Sequence, residues 1–223
     1  MNNKRLITLG ILFLGIAIVG KLLFVAAKHI KLDDFHKSAV IFVVDSSASN
    51  QKMLPTEIKY LKSLRAILDP EDEIKILKVS ENSYLIYEGS PSDSQGITKA
   101  VEAFTKYDSK DYGTAYGEAI KKAFDHCLTM KKEGYVPSVV VIGDLENEGA
   151  VEKQINWDTL PKNVQFVKEY IPELSMMFVF AHPEKLDLVK TKLNPVLGEK
   201  KLIVANEQNV QKAQRRFLEA IGR

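Results

Sequence analysis

The chain has 223 residues, with 31 Lys plus Arg against 29 Asp plus Glu and a formal charge of +2. That balance, with no basic run, excludes the clustered cationic face a nucleic-acid-binding protein needs. The single Cys127 excludes an internal disulfide framework without fixing the compartment.

The N-terminus reads as an anchor. Residues 6–27 are apolar apart from Thr8 and Lys21. They are long enough to span a bilayer as a helix, which takes about 20 residues. Lys21 can snorkel to an interface. Lys4 and Arg5 place residues 1–5 in the cytoplasm, while Lys28 and Lys31 beyond the span argue the other way. A cleaved signal peptide is the rival, with Val25-Ala26-Ala27 as its cleavage site. Either way the rest of the chain is expected outside the cytoplasm, in the periplasm or at the cell surface. Residues 28–37 form a charged linker, and residues 38–222 are long enough to bury a sizeable core.

Within 38–222, continuous apolar runs alternate with helical periodicities. Ala39–Val44 is the first buried strand. Ile58, Leu61, Leu64 and Leu68 recur at helical spacing, predicting a helix over 55–68 ended by Asp69-Pro70. Ile74, Ile76 and Val79 alternate with charged residues, and Glu81-Asn82 turns the chain into Tyr84–Tyr87, an antiparallel edge hairpin. Ile97, Ala100, Val101 and Phe104 mark a second helix, and Ala119, Ile120, Ala123, Phe124 and Cys127 a third. Ser138–Ile142, Met176–Ala181 and Leu202–Ala205 are further apolar runs of the kind parallel strands buried on both faces produce. Leu186, Val189, Leu193 and Val196, then Val210, Ala213, Phe217 and Ile221, line two more helices. The fold class is α/β: a doubly wound, mainly parallel central sheet with one antiparallel edge hairpin, preceded by a transmembrane helix.

The candidate site lies where these elements end. Asp45-Ser46-Ser47-Ala48-Ser49 leaves the first strand with an Asp and two hydroxyls spaced two apart. Such an oxygen-rich cup suits a hard divalent cation. Thr114, opening a helix, and Asp144, leaving a Val-rich strand, can add two oxygens. In open α/β sheets, ligands sit beyond the carboxyl ends of the strands where the strand order reverses. Each residue also has a plainer reading. Ser47, Ser49 and Thr114 can be helix caps, and Asp144 an ordinary turn residue.

Taken in order, Asp45-x-Ser47-x-Ser49, Gly113-Thr114 with Gly117 and Ala119, and Asp144 resemble the metal-ion-dependent adhesion site of von Willebrand factor type A domains. The resemblance covers residues 38–222 and implies a Rossmann-like fold. It implies that Ser47, Ser49 and Thr114 meet Mg²⁺ (or Mn²⁺ or Ca²⁺), while Asp45 and Asp144 hold coordinated water. It further implies a protein partner that offers an acidic side chain to the ion. One departure is Leu145, where the family often has Gly after the last Asp.

Other chemistry is thin. Cys127 shares an apolar helical face and reads as core. His29, His36, His126 and His182 lack zinc-ligand spacing. Trp157 reads as a packing anchor, and Tyr112 and Tyr116 as rim or core residues beside Thr114. No nucleophile elbow or phosphate loop occurs. The expectation is a non-enzymatic, membrane-anchored binding module. A metal-dependent hydrolase or phosphatase on a similar sheet, and a scaffold whose metal site is empty, are the alternatives. Nothing in the sequence sets an oligomeric state.

Overall fold

The structure, a computed structural model, describes residues 36–105 and 113–223. The expected anchor at 6–27, most of the linker, and Tyr112 lie outside the described residues. Among the described residues no helix is long and apolar enough to cross a membrane. Lys37–Arg223 forms one compact unit.

The chain enters through β1 (Ser38–Asp45) and continues through α1 (Leu54–Arg65), β2 (Glu73–Val79), β3 (Ser83–Gly89) and α2 (Ser94–Thr105). It returns as α3 (Tyr116–Lys132), β4 (Val136–Ile142), a 3₁₀ turn at Val151–Lys153, α4 (Leu160–Tyr170) and β5 (Ser175–Val179). It closes with α5 (Pro183–Leu197), β6 (Leu202–Ala205) and α6 (Val210–Ala220). The described strands form one sheet in the order β3-β2-β1-β4-β5-β6. β3 runs antiparallel to β2, and every other neighbouring pair is parallel.

The apolar runs are explained by burial on both sides. Ile41, Val43, Val139, Val141, Met176 and Phe178 face the helices α3, α4 and α5. Val40, Phe42, Val44, Val140, Ile142 and Met177 face α1, α2 and α6. A strand covered on both faces has no solvent side to alternate toward. β3 is the exception. It is an edge strand with Tyr84 and Leu85 exposed, and a register shift at Ile76/Leu77 kinks its pairing with β2.

The helix expected over 55–68 stops at Arg65. Its last turn tightens through Leu68 N donating to Arg65 O, which keeps Leu68 buried while the chain turns at Asp69-Pro70. β5 ends at Val179, short of the apolar run, because Phe180 is left-handed with φ of 69°. The helix α4 was not singled out from the sequence, although Leu160, Val164 and Val167 make its inner face and Pro161 sits in its first turn. Trp157 lies in the connection before α4 and packs against the core from a partly buried position.

From β1 the chain builds outward one way through β2 and β3, then returns to build the other way through β4, β5 and β6. The order therefore reverses between β1 and β4, the position where a crevice opens in doubly wound sheets.

Candidate functional site

Three segments meet at that crevice. Val44 pairs with Ile142 in the β1–β4 register, so Asp45 and Gly143-Asp144 leave adjacent strands at the same end. Gly143 has φ of 145°, and a Cβ there would lie 2.5 Å from the Asp45 Cβ and 2.0 Å from the Tyr116 hydroxyl. Only glycine lets the two strand ends pass this close. The third segment, Gly113 to Tyr116, is tied down by Ala115 N donating to Ser80 O (2.7 Å) and Thr114 N donating to Glu148 O (2.9 Å). Gly117 brings α3 against the loop after β4: a Cβ there would lie 2.0 Å from Gln154 O.

Asp45 is fully buried. Its Oδ1 accepts from Ser47 N (2.7 Å) and its Oδ2 from the Tyr116 hydroxyl (3.0 Å). Burial, with repulsion from Asp144 added, pushes its carboxyl up to about 7 against the opposing hydrogen bonds. The Ser47 and Ser49 hydroxyls lie 3.0 Å apart. Ser49 Oγ also reaches Glu148 Oε2 at 3.4 Å, so Ser49 and Thr114 both attach to Glu148. Thr114 is buried, and its Oγ1 has no hydrogen-bond partner. Asp144 is half-buried, and its Oδ1 accepts from Glu146 N (2.8 Å).

The hydroxyls are not used as helix caps. The residue preceding α1 is Met53 and that preceding α3 is Ala115, and neither terminus has a side-chain cap. Leu145, which stands where glycine was expected, is left-handed with φ of 62° and buried. It adopts a conformation that costs a side-chain-bearing residue energy.

Three residues around the cup were not read as part of it. Tyr116 is completely buried. Its hydroxyl donates to Asp45 and accepts from Leu145 N (3.3 Å), so one phenol touches all three segments. Burial, and then the negative charge of Asp45 and Asp144, pushes that phenol well above its usual range. Asn50 donates to Asp45 O (3.3 Å) and to Glu57 Oε2 (2.7 Å), joining the cup to α1. Glu57 is fully buried, and its Oε1 has no hydrogen-bond partner. Burial first, then repulsion from Asp45, pushes its carboxyl up to about 9.

A groove of about 500 Å³ opens beside the cup, lined by Ser49, Asp144, Lys52, Phe180, His182 and Asn206 among others. The donor set is hydroxyls plus two carboxylates. Among the described residues no cluster of three His, Cys, Asp or Glu side chains suited to a metal occurs. The oxygen donors suit a hard divalent cation. The unsatisfied Thr114 hydroxyl and the buried Asp45 carboxylate fit such an ion.

No protein-family model matches the chain, and no curated protein matches it. Solved structures do. A von Willebrand factor type A protein from Catenulispora acidiphila aligns with a TM-score of 0.52 at 15% identity, over 84% of this chain and 43% of that one. Proximal thread matrix protein 1 from the mussel byssus, with a zinc-occupied MIDAS motif, aligns with a TM-score of 0.56 at 10% identity, over 83% and 48%. An aerotolerance-related membrane protein from Bacteroides fragilis NCTC 9343 aligns with a TM-score of 0.54 at 16% identity, over 82% and 98%. This chain thus spans less than half of the first two and nearly all of the third. At these identities the likeness is one of fold, and the fold is that of von Willebrand factor type A domains.

Proposed function

We propose that the chain is a membrane-anchored binding module that holds a divalent cation in the Asp45, Ser47, Ser49, Thr114, Asp144 cup and captures an acidic side chain of a protein partner there. The observation that carries the reading is the Thr114 hydroxyl, buried and without a partner next to a loop that also holds Ser49. A buried polar atom left unpaired costs about 1–3 kcal/mol, and a cation removes that cost. Ser47, Ser49 and Thr114 are the direct ligands in this reading. Asp45 and Asp144 balance charge and accept hydrogen bonds from coordinated water. Neutral hydroxyls leave a bound ion electron-poor, so it supplies an open position for a hard oxygen such as a carboxylate.

The mussel protein with its zinc-occupied MIDAS supports the presence of an ion on this fold. The aerotolerance-related membrane protein supports a membrane context, in keeping with the apolar stretch at 6–27. The groove past Lys52 and Phe180 leaves room for the residues flanking the captured carboxylate.

The test is thermal unfolding of the chain with millimolar Mg²⁺ or Mn²⁺ against EDTA. Saturation at a hundred times the dissociation constant adds about 2.7 kcal/mol. Thr114→Ala and Asp144→Ala remove the shift. A wild-type chain indifferent to both ions refutes the reading and leaves a scaffold.

A further inference from the structure

We propose that the end of the domain where the chain enters the sheet is a lipid-contacting surface, with Ile67, Phe166 and Tyr170 resting in the headgroup region of a neutral bilayer. This rests on the membrane-anchored reading given above and goes beyond it, to what the folded domain itself touches.

The topology gathers these side chains at one end. Ser138 pairs with Val40 on one side and with Ser175 on the other, so β1, β4 and β5 begin level with one another. The chain enters the sheet there, at Ser38. Only Ile171, Pro172, Glu173 and Leu174 separate Tyr170, the last residue of α4, from Ser175. Ile67 lies between α1 and β2, whose first residue pairs with Ala39. Both connections are therefore at the entry end, and Asp45 and Asp144 leave their strands at the opposite end.

The exposure of these side chains is what calls for a partner. Phe166 and Tyr170 stand on consecutive turns of α4 with their rings edge-on at 5.2 Å, and they are 53% and 58% exposed. Ile67 is 44% exposed. Among the described residues the other exposed large apolar side chains are Tyr84 and Leu85 on the edge strand and Val151 in the loop after β4. Apolar side chains scattered singly need no explanation, but an adjacent aromatic pair in water loses burial that a partner supplies. A phenol suits the headgroup level, where the ring is buried and the hydroxyl stays wet.

Chain length and charge select the occupant. A linker over 28–37 reaches at most about 35 Å fully extended, so a span at 6–27 keeps Ser38 within that distance of a bilayer. So short a tether gives an effective concentration in the millimolar range, and weak apolar contacts then suffice. The charges at this end are largely matched. Lys37 pairs with Glu71 (3.4 Å), Lys131 with Glu173 (3.1 Å), and Arg223 with Asp69 and Asp72. Lys132 and Lys200 each have an acid next to them in the chain, Glu133 and Glu199. Anionic lipid is held by an unmatched basic cluster. Matched charge with exposed aromatics suits neutral lipid instead. A domain resting on this end turns the cup away from the bilayer and toward a partner.

The experiment reconstitutes the full chain in phosphatidylcholine vesicles with plain or brominated acyl chains and reads indole fluorescence. Wild type carries a single Trp, Trp157, just before α4 and so at the end away from Tyr170. The double variant Trp157→Phe, Tyr170→Trp moves the indole to the entry end. Brominated lipid removes most of the emission of the double variant and leaves that of wild type intact. No quenching of the double variant, or equal quenching of both proteins, overturns the proposal. A second measurement stands should the double variant fail to fold. The compact unit Lys37–Arg223 is floated with millimolar phosphatidylcholine vesicles, at low and high salt, beside Phe166→Ser, Tyr170→Ser. The unit rises with the vesicles at both salts, and the variant does so about tenfold less. A unit that stays behind, or that rises only with anionic phosphatidylglycerol vesicles at low salt, overturns the proposal. So does a unit that sediments as a dimer which the two serines abolish, since the patch then belongs to a second copy. Release of the full chain from the vesicles by alkaline wash refutes the anchored reading alone, and flotation of the unit still decides this inference.

Discussion

Replacing Glu57 by Gln tests whether the cup rests on a protonated carboxylic acid. Glu57 lies in the buried stripe of α1, and burial and repulsion from Asp45 lift it from 4.5 to about 9, against the Asn50 hydrogen bond. Across that window the folded chain holds a proton that the unfolded chain has lost. The stability this group contributes is therefore complete below about pH 4.5 and is lost steadily as pH rises toward 9. At pH 7 the gap is two and a half pH units at about 1.4 kcal/mol each, or about 3.5 kcal/mol. Gln keeps an amide oxygen to accept from Asn50 Nδ2 and carries no proton to lose. Relative to wild type, Glu57→Gln should therefore gain about 3.5 kcal/mol between pH 4.5 and pH 7, and gain further above that. The assay is urea unfolding of the unit Lys37–Arg223 in EDTA, followed by circular dichroism at several pH values. Titrating groups that do not interact with Glu57 cancel in the difference between the two proteins. Curves that run parallel from pH 5 to pH 8 refute the reasoning and mean that Glu57 is ionised in the folded chain.

Two further perturbations follow from buried geometry. Arg223 meets Asp69 and Asp72, and the wholly buried Asp72 carboxylate also accepts from Ser38 N (2.8 Å) and Asp69 N (2.9 Å). Arg223→Ala leaves that carboxylate without its cation and lowers stability by about 3 kcal/mol, read from the urea midpoint, since breaking a buried pair strands a charge. Gly117→Ala places a Cβ 2.0 Å from the Gln154 carbonyl oxygen. It costs about 1–3 kcal/mol as overpacking, and by pushing the 149–154 loop away from α3 it also shrinks the Mg²⁺-induced rise in melting temperature.

What was readable in the sequence follows from what each signal depends on. The strands were visible because burial on both faces leaves an unbroken apolar run, as in Val139–Ile142, and the order of elements then fixed where Asp45 and Asp144 must exit. Where conformation rather than hydrophobicity sets a boundary, the pattern misleads: nothing in Met176–Ala181 announces that Phe180 turns left-handed. α4 shows Leu160, Val164 and Val167 at helical spacing. Its outer face also carries Phe166 and Tyr170, stacked edge-on at 5.2 Å and exposed, which blurs the two-sided pattern.

The cup's supports were harder to see for a different reason. Tyr116 stands in register with Ala119, Ile120 and Ala123 and reads as core, which it is. That its hydroxyl lands on Asp45 depends on the missing Cβ of Gly143 and the backbone of Leu145, both far along the chain. Glu57 did leave a trace: it interrupts the stripe of Leu54, Leu61 and Leu64 with a carboxylate. An acid on an apolar face must either be paired by a base or be held protonated. Here the neighbour on that face is Asn50, whose amide serves Asp45 O and Glu57 Oε2 together. The polar residue set among apolar ones is thus bound to the site through its hydrogen bonds. Reading such interruptions for the partner they require extends a motif from its ligands to the groups that hold them in place.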